Sequence, residues 1–345
     1  MEPIIYTLPK SDREIKIVES EFYFDSYPSP KLIKYGFSHL NNQLDLKTLF
    51  STPYYKVGQN FDFERTDENS LSFQIAQQFG IKKFDLNFAK IWELLVLFPL
   101  LDKNQTISVS NDTDVVTVEE IIKMYKKIKT ATNKYTVTKN STSASLIIYK
   151  YSDIDIEENA AIHFIIKSLP KLLSSQTTGS NMIIQLFDLQ TKTTAELIYY
   201  LSSIYNEAYL LKPTVIFDLS DEKYLVLIGL KKPTVFKFPK NDANLFLYSL
   251  GLDNIPDDIV TIIQCMNAHL MPKKYNKYKQ IKEYLNIKVY EGATYQDMIK
   301  SQNTYTKKWL ETFLDITHIN SVLDTSLSKT QKKCTDFPQL STLLS

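Results

Sequence analysis

Glycine is scarce in this chain: 7 residues in 345, where average usage of roughly 7% would give on the order of 24. Gly36, Gly58, Gly80, Gly179, Gly229, Gly251 and Gly292 are scattered, with no two close together. A P-loop, a G-x-G-x-x-G dinucleotide turn and a glycine-rich kinase loop are therefore excluded, because each needs backbone to approach phosphate where a Cβ would intrude. Cysteine is nearly absent as well. Cys265 and Cys334 lie far apart and the first ten residues hold no apolar segment, so a secreted disulfide scaffold is not expected and the reading is cytoplasmic. On that reading the three Asn-x-Thr/Ser sequons at Asn104, Asn111 and Asn140 carry no meaning. The four histidines, His39, His163, His269 and His318, share no metal-ligand spacing with either cysteine, and no metal site is expected. Charge of one sign is lacking too: 40 Lys+Arg against 39 Asp+Glu leave +1, no global field for nucleic acid or an acidic membrane surface. The longest apolar run, 94–101, is broken by Pro99 and too short to span a bilayer. No repeat at a fixed period is visible.

What is present is the composition of a globular protein, 43% hydrophobic and 23% charged, long enough for a large core. Residues 1–80 read as an irregular N-terminal extension. Helical spacing begins at Ser70 and supports two helices, one ending near Gly80 and one before Pro99. β-branched runs at 106–110, 135–139, 145–151, 181–187, 208–212 and 223–229 then alternate with amphipathic segments at 116–129, 157–173 and 193–205. That alternation predicts an α/β sheet with helices on its faces over 81–235. Its last strand follows the connection 213–222, too short for a helical crossover, and so should pair antiparallel. From Asn241 the pattern reads as all helical: 242–250 closed by Gly251, 257–270 ended by Pro272, then 273–290 and 294–315. This helical C-terminal region, 236–318, precedes a Ser/Thr/Lys-rich tail, 319–345.

Three segments carry a family likeness: Gly179-Ser-Asn-Met-Ile-Ile-Gln-Leu-Phe-Asp-Leu, Glu207-Ala-Tyr-Leu-Leu-Lys-Pro-Thr and Ser220-Asp-Glu-Lys-Tyr-Leu-Val-Leu. Together they resemble the FtsJ-like RNA 2′-O-methyltransferases, in the style of large DNA viruses. The resemblance covers about 84–232 and is denser in the second half. It implies a Rossmann-like S-adenosylmethionine (SAM) methyltransferase sheet with an antiparallel last strand and a Lys-Asp-Lys-Glu tetrad, in which a lysine of lowered pKa deprotonates a ribose hydroxyl. Carried over by position, Lys90 in Phe88-Ala-Lys-Ile-Trp-Glu matches the first lysine, with a solvated helix lysine as the plain alternative. Glu222 matches the glutamate. Gln185 stands at the second lysine and can neither act as a base nor offer positive charge. Lys150 stands near the aspartate, and Asp153 could replace that acid only if the loop shifts. In place of the glycine-rich cofactor turn the chain has Ser110, Asn111 and Asp112, with Asp114 read as a helix N-cap. There is room for about one strand between the first helix of the sheet and Ser145 where the family has two.

Two further features stand apart. The acidic stretch 152–158 sits at a helix start and reads as capping. The segment from Lys273 to Tyr284 interleaves Lys273, Lys274 and Lys277 with Tyr275 and Tyr278, chemistry that suits RNA backbone and bases, or equally an amphipathic helix that buries tyrosine while its lysines snorkel. The expectation is a methyltransferase-like fold without catalysis, with no cofactor, serving as an RNA-binding or partner-stabilising subunit in viral mRNA capping or methylation, at a viral factory or in the virion. The competing expectations are an active, divergent SAM-dependent 2′-O-methyltransferase and a structural virion or assembly protein. No membrane role is expected.

Overall fold

A computed structural model describes residues 3–10, 15, 22–32, 59–63, 70–82, 84–152, 156–237, 244–252, 254–287 and 292–314. Asp153, His39, His318, Cys334 and the expected tail lie outside these residues.

Nine strands and seven helices follow one another among the described residues. In chain order they are β1 (Ile4–Thr7), β2 (Tyr23–Asp25), α1 (Leu71–Phe79), α2 (Leu86–Leu97), β3 (Gln105–Val109), α3 (Asp112–Lys129), β4 (Tyr135–Lys139), β5 (Ala144–Tyr149), α4 (Glu158–Ser174), β6 (Gln176–Leu186), α5 (Lys192–Ile204), β7 (Tyr205–Lys212), β8 (Lys223–Leu230), β9 (Phe246–Ser249), α6 (Asp257–Ile287) and α7 (Ala293–Phe313).

The main sheet has seven strands in the order β1-β7-β8-β6-β5-β3-β4. β4, β3, β5 and β6 are parallel. β8 is antiparallel to both β6 and β7, as the short 213–222 connection requires, and β1 is antiparallel to β7. The strand order reverses at β3, which the next two strands of the chain, β4 and β5, flank on opposite sides. Such a reversal opens a crevice at the carboxyl ends of the strands, where α/β sheets take ligands. Residues 140–143 alone carry the chain from β4 to β5, with Asn140 N donating to Val109 O at 3.0 Å, so no further strand intervenes. The whole is a mixed α/β fold, consistent with a Rossmann-like sheet.

Both faces of the sheet are covered, so its central strands carry apolar residues on both faces rather than on one. Successive residues go to opposite cores. Leu146, Ile148, Ile183, Tyr224 and Val226 pack with α2, α3 and the Trp309–Phe313 end of α7. Ile147, Tyr149, Met182, Ile184, Leu225 and Leu227 pack with α4, α5 and the first half of α6.

Three expectations from sequence are corrected. Residues 242–250 contain a strand, β9, and not a helix: burial alternates along Phe246, Leu247, Tyr248 and Ser249, and the strand pairs with β2. Pro272 does not end a helix. The buried stripe Ile259, Ile263, Met266, Tyr278 and Ile281 keeps helical phase across it, and that burial outweighs the ~3 kcal/mol a proline costs inside a helix. The N-terminal extension is not wholly irregular, since Ile4–Thr7 extends the sheet through pairing with Tyr209–Lys212.

Candidate functional site

Lys90, Lys150, Gln185 and Glu222, singled out by the family likeness, come together at the carboxyl ends of the central strands β5 and β6. Asp85 caps α2, accepting from Phe88 N at 2.8 Å, and this fixes the helix that carries Lys90. Gln185 is the penultimate residue of β6 and faces Tyr224 across the β6/β8 ladder. Glu222 immediately precedes β8, its N–H donating to Ser220 Oγ at 3.1 Å. Lys150 follows β5. All four are buried: Lys90 is 6%, Lys150 2%, Gln185 0% and Glu222 6% exposed.

Glu222 is the hub. Lys90 Nζ donates to both of its oxygens, at 3.1 and 2.8 Å. Tyr224 OH donates to Oε1 at 2.5 Å and Gln185 Nε2 to the same oxygen at 3.1 Å. Burial by itself would raise the Glu222 pKa, but the charges of Lys90 and then Lys150, with the Lys90 and Tyr224 hydrogen bonds, hold it below the usual carboxylate range. Gln185 also closes the loop after β5: its Nε2 donates to Ser152 O at 2.8 Å and its Oε1 accepts from Tyr151 N at 3.1 Å and Ser152 N at 3.3 Å. An amide is suited to this place because it both donates and accepts, which an ammonium does not.

Lys150 turns towards the switch-point crevice between β5 and β3. Its Nζ donates to Asn87 Oδ1 at 2.5 Å and sits 3.4 Å from Asp114 Oδ1. Asn87 in turn donates to the same Asp114 oxygen at 3.0 Å. Asp114 is therefore not the N-cap of α3, as the sequence led us to expect. Asn111 takes that role, accepting from Asp114 N at 2.7 Å, while the Asp114 carboxylate, 1% exposed, meets Lys150. Ser110 is held as well: its hydroxyl donates to Lys150 O and accepts from Lys150 N at 3.0 Å. Asp112 faces outward, with its carboxylate 2.6 Å from Lys139 Nζ. The cavity beside Ser108–Ser110, Asn140 and Ser141 measures about 10 Å³, no more than one water probe.

The two ion pairs balance one another: Lys90 with Glu222, Lys150 with Asp114. The cluster thus holds four buried charges with no net charge. Asn87 escaped the sequence reading, and Asp114 and Tyr224 were named there without a place in this cluster. A signal for Asp114 was available, since an unexpected buried lysine at 150 calls for a carboxylate partner.

Other predicted residues do not join this cluster. Tyr278 is buried and cannot stack a base, while Tyr275 is exposed. Lys274 pairs with Asp221 at 2.8 Å, and Lys273 and Lys277 line a separate cleft. Of the acidic stretch 152–158, Glu157 is the N-cap residue of α4, without a side-chain capping bond, and Glu158 lies in its first turn, as a stretch at a helix start should. The Glu158 Oε1 accepts from Gln190 N, Thr191 N, Thr191 Oγ1 and Thr194 Oγ1, and so fixes the start of α5, whose N-cap is Thr191. Among the described residues no group of three His, Cys, Asp or Glu is placed to hold a metal ion, and no helix is long and apolar enough to cross a membrane.

Fold and site together define a mixed α/β-sheet protein with a closed, charge-balanced polar cluster at the carboxyl ends of its central strands. The chain is 44% identical over 352 residues to "Uncharacterized protein R383" of Acanthamoeba polyphaga mimivirus, covering 100% of both chains. It belongs to the family of that viral protein. No protein-family model matches the chain.

Proposed function

We propose that this chain is a methyltransferase-like protein without catalysis, acting as a partner-stabilising or RNA-binding subunit in viral mRNA capping or methylation. In the strand order β4-β3-β5-β6-β8-β7 we read the methyltransferase sheet with one adenosine-side strand missing and β1 added at the far edge. The observation that carries the reading is the Lys150 side chain, which lies across the switch-point crevice from β5 to the first turn of α3 and is pinned there by Asn87 and Asp114.

SAM does not fit the residues at this place. Ser110, Asn111 and Asp114 each have their side chains engaged in the chain's own hydrogen bonds, no glycine gives a backbone cradle, and the cavity beside the turn is about 10 Å³. Nor do Lys90 and Glu222 form a reacting pair: the Lys90 ammonium is held by both oxygens of a buried carboxylate, and Gln185 supplies no second cation to stabilise an alkoxide. The retained half of the tetrad serves instead to lock β8, α2 and the loop after β5 together, giving a partner a rigid surface.

The test is calorimetric titration of the full chain with SAM, paired with a methyl-transfer assay on capped and uncapped RNA. The reading expects neither binding at 1 mM-scale SAM, roughly the weak limit of measurable affinity, nor transfer. Micromolar binding together with transfer abolished by Lys90→Ala would establish the divergent enzyme in its place.

A further inference from the structure

The β4 edge of the main sheet is open: β4 pairs with β3 on one side, and among the described residues no strand pairs with its other side. Gln105 N donates to Lys134 O and Asn140 N to Val109 O, both at 3.0 Å. In a parallel ladder of that phase Thr136 and Thr138 turn their backbone groups to β3, while Tyr135, Val137 and Lys139 present N–H and C=O outward. The usual devices that blunt an edge are missing. The strand holds no proline and no bulge, and its one lysine, Lys139, is drawn back to Asp112 on α3. Tyr135 and Val137 pack on the α3 face of the sheet, with Lys126 Nζ of α3 5.3 Å from the Tyr135 ring centroid. Thr136 and Thr138 take the opposite face, and Thr138 Oγ1 is buried with no hydrogen-bond partner among the described residues.

We infer that a second copy of this chain adds its β4 to this edge, antiparallel about a twofold axis at Val137, so that the two sheets join into one. The segment is self-complementary in that register. Val137 faces its own copy and Tyr135 faces Lys139 of the second copy, and because all three point their backbone groups outward, each opposed pair exchanges two N–H···O bonds, about six in all. Thr138 then stands in a non-hydrogen-bonded pair with Thr136 of the second copy, close enough for its orphaned hydroxyl to gain a partner. α3 packs on β3 and β4, so with strands about 4.8 Å apart the two α3 helices run antiparallel about 10 Å apart, which is helix-packing distance. Their charges are complementary in this arrangement. Asp112 begins α3 and Lys126 lies in its last turn, so each Asp112, its side chain 83% exposed, comes between its own Lys139 and Lys126 of the second copy. On the same stripe Val115 comes opposite Ile122 of the second copy. Glu119 meets its own copy at the axis, a like-charge contact that is exposed and therefore screened by salt. The inference rests on the β4 edge and not on the cluster at β5 and β6 being inactive.

Sedimentation velocity of the full chain tests it, with a monomer–dimer equilibrium expected between about 1 and 100 μM, the range suited to an interface of modest size. Val137→Pro removes a donor that faces the second copy and none that faces β3, and should weaken the dimer at least about tenfold. Thr136→Cys combined with Thr138→Cys reads the register directly and carries the test even if Val137→Pro misfolds. The opposed Cα atoms, about 4.5 Å apart, allow a disulfide, so under mild oxidation this double variant should run as a covalent dimer on a non-reducing gel. Neither single variant should do so, nor the wild type with Cys265 and Cys334 alone. Glu119→Gln should dimerise at least as tightly as the wild type. A chain that stays monomeric at roughly 100 μM, its edge closed by another protein's strand or by none, would overturn the inference. So would a folded Val137→Pro that dimerises within about twofold of the wild type, a double cysteine variant that gives no covalent dimer, or a Glu119→Gln dimer about tenfold weaker.

Discussion

Lys90→Met tests most directly whether the buried Lys90–Glu222 pair is structural. The substitution keeps most of the side-chain volume but removes the ammonium and its two hydrogen bonds to Glu222, at 3.1 and 2.8 Å. The carboxylate, whose side chain is 7% exposed, is left with Tyr224, Gln185 and the field of Lys150. Breaking a buried pair from one side costs about 3–5 kcal/mol, because the remaining charge cannot return to water. Glu222→Gln strands Lys90 in the same way and should lie in the same range. The double variant removes both charges and leaves the Lys150–Asp114 pair intact, so it should cost less than the sum of the singles, with a coupling of at least ~2 kcal/mol. Urea unfolding followed by tryptophan fluorescence is well suited to the measurement. The chain has two tryptophans, Trp92 and Trp309, each 2% exposed, and Trp92 lies on the same helix as Lys90. A single variant costing under ~1 kcal/mol, or a double variant costing the full sum, would refute the argument that this pair holds the fold.

A lysine at position 185, where the FtsJ-like pattern expects one, gives a second prediction. Gln185→Lys adds a third cation to two carboxylates and removes the acceptor used by Tyr151 N and Ser152 N, so it should destabilise by about 2–4 kcal/mol, one unsatisfied buried donor costing roughly 1–3, and should confer no methyl transfer. A gain of stability or of activity would contradict the charge-balance argument. Glu93 gives a third. It is fully buried and accepts from Thr214 N at 2.7 Å, Thr214 Oγ1 at 2.8 Å and Trp309 Nε1 at 3.0 Å. Burial, opposed by the Thr214 and Trp309 hydrogen bonds, pushes its pKa up to about 7 from 4.5. The folded state then holds the proton more tightly than the unfolded one, so its contribution is full below pH 4.5 and is lost as pH rises through 7, roughly 3 kcal/mol in all. Melting temperature measured from pH 4.5 to 8 should fall over that window in the wild type and more shallowly in Glu93→Gln, and parallel profiles would refute it. Trp309→Ala, finally, removes a ring packed against Phe63, Phe84 and Phe313 and the donor to Glu93. It should cost about 3–5 kcal/mol, read by the same urea assay.

The sequence by itself determined the alternation of elements from 105 to 230, the antiparallel last strand of the main sheet and the absence of a glycine turn. These follow from local chemistry: β-branched runs, helical spacing, connections too short to cross over, and the missing Cβ-free positions. It also placed Lys90, Gln185 and Glu222 in one frame, through a family pattern rather than through periodicity. The tertiary structure alone decided what those residues do. Lys150 looked like a damaging charge reversal until Asp114, 36 positions away, was found against it. Gln185 looked like a lost catalytic cation, and it proves to be an amide whose donors and acceptor all have partners, the buried Glu222 among them. β9 read as a helix because its pairing partner, β2, lies more than 200 residues earlier in the chain. Likewise, the helix running through Pro272 is held by a buried stripe that exists only once α6 lies on the sheet. In each case the deciding energy is a long-range contact in a desolvated place, where pairing and burial outweigh the local propensities that sequence can express.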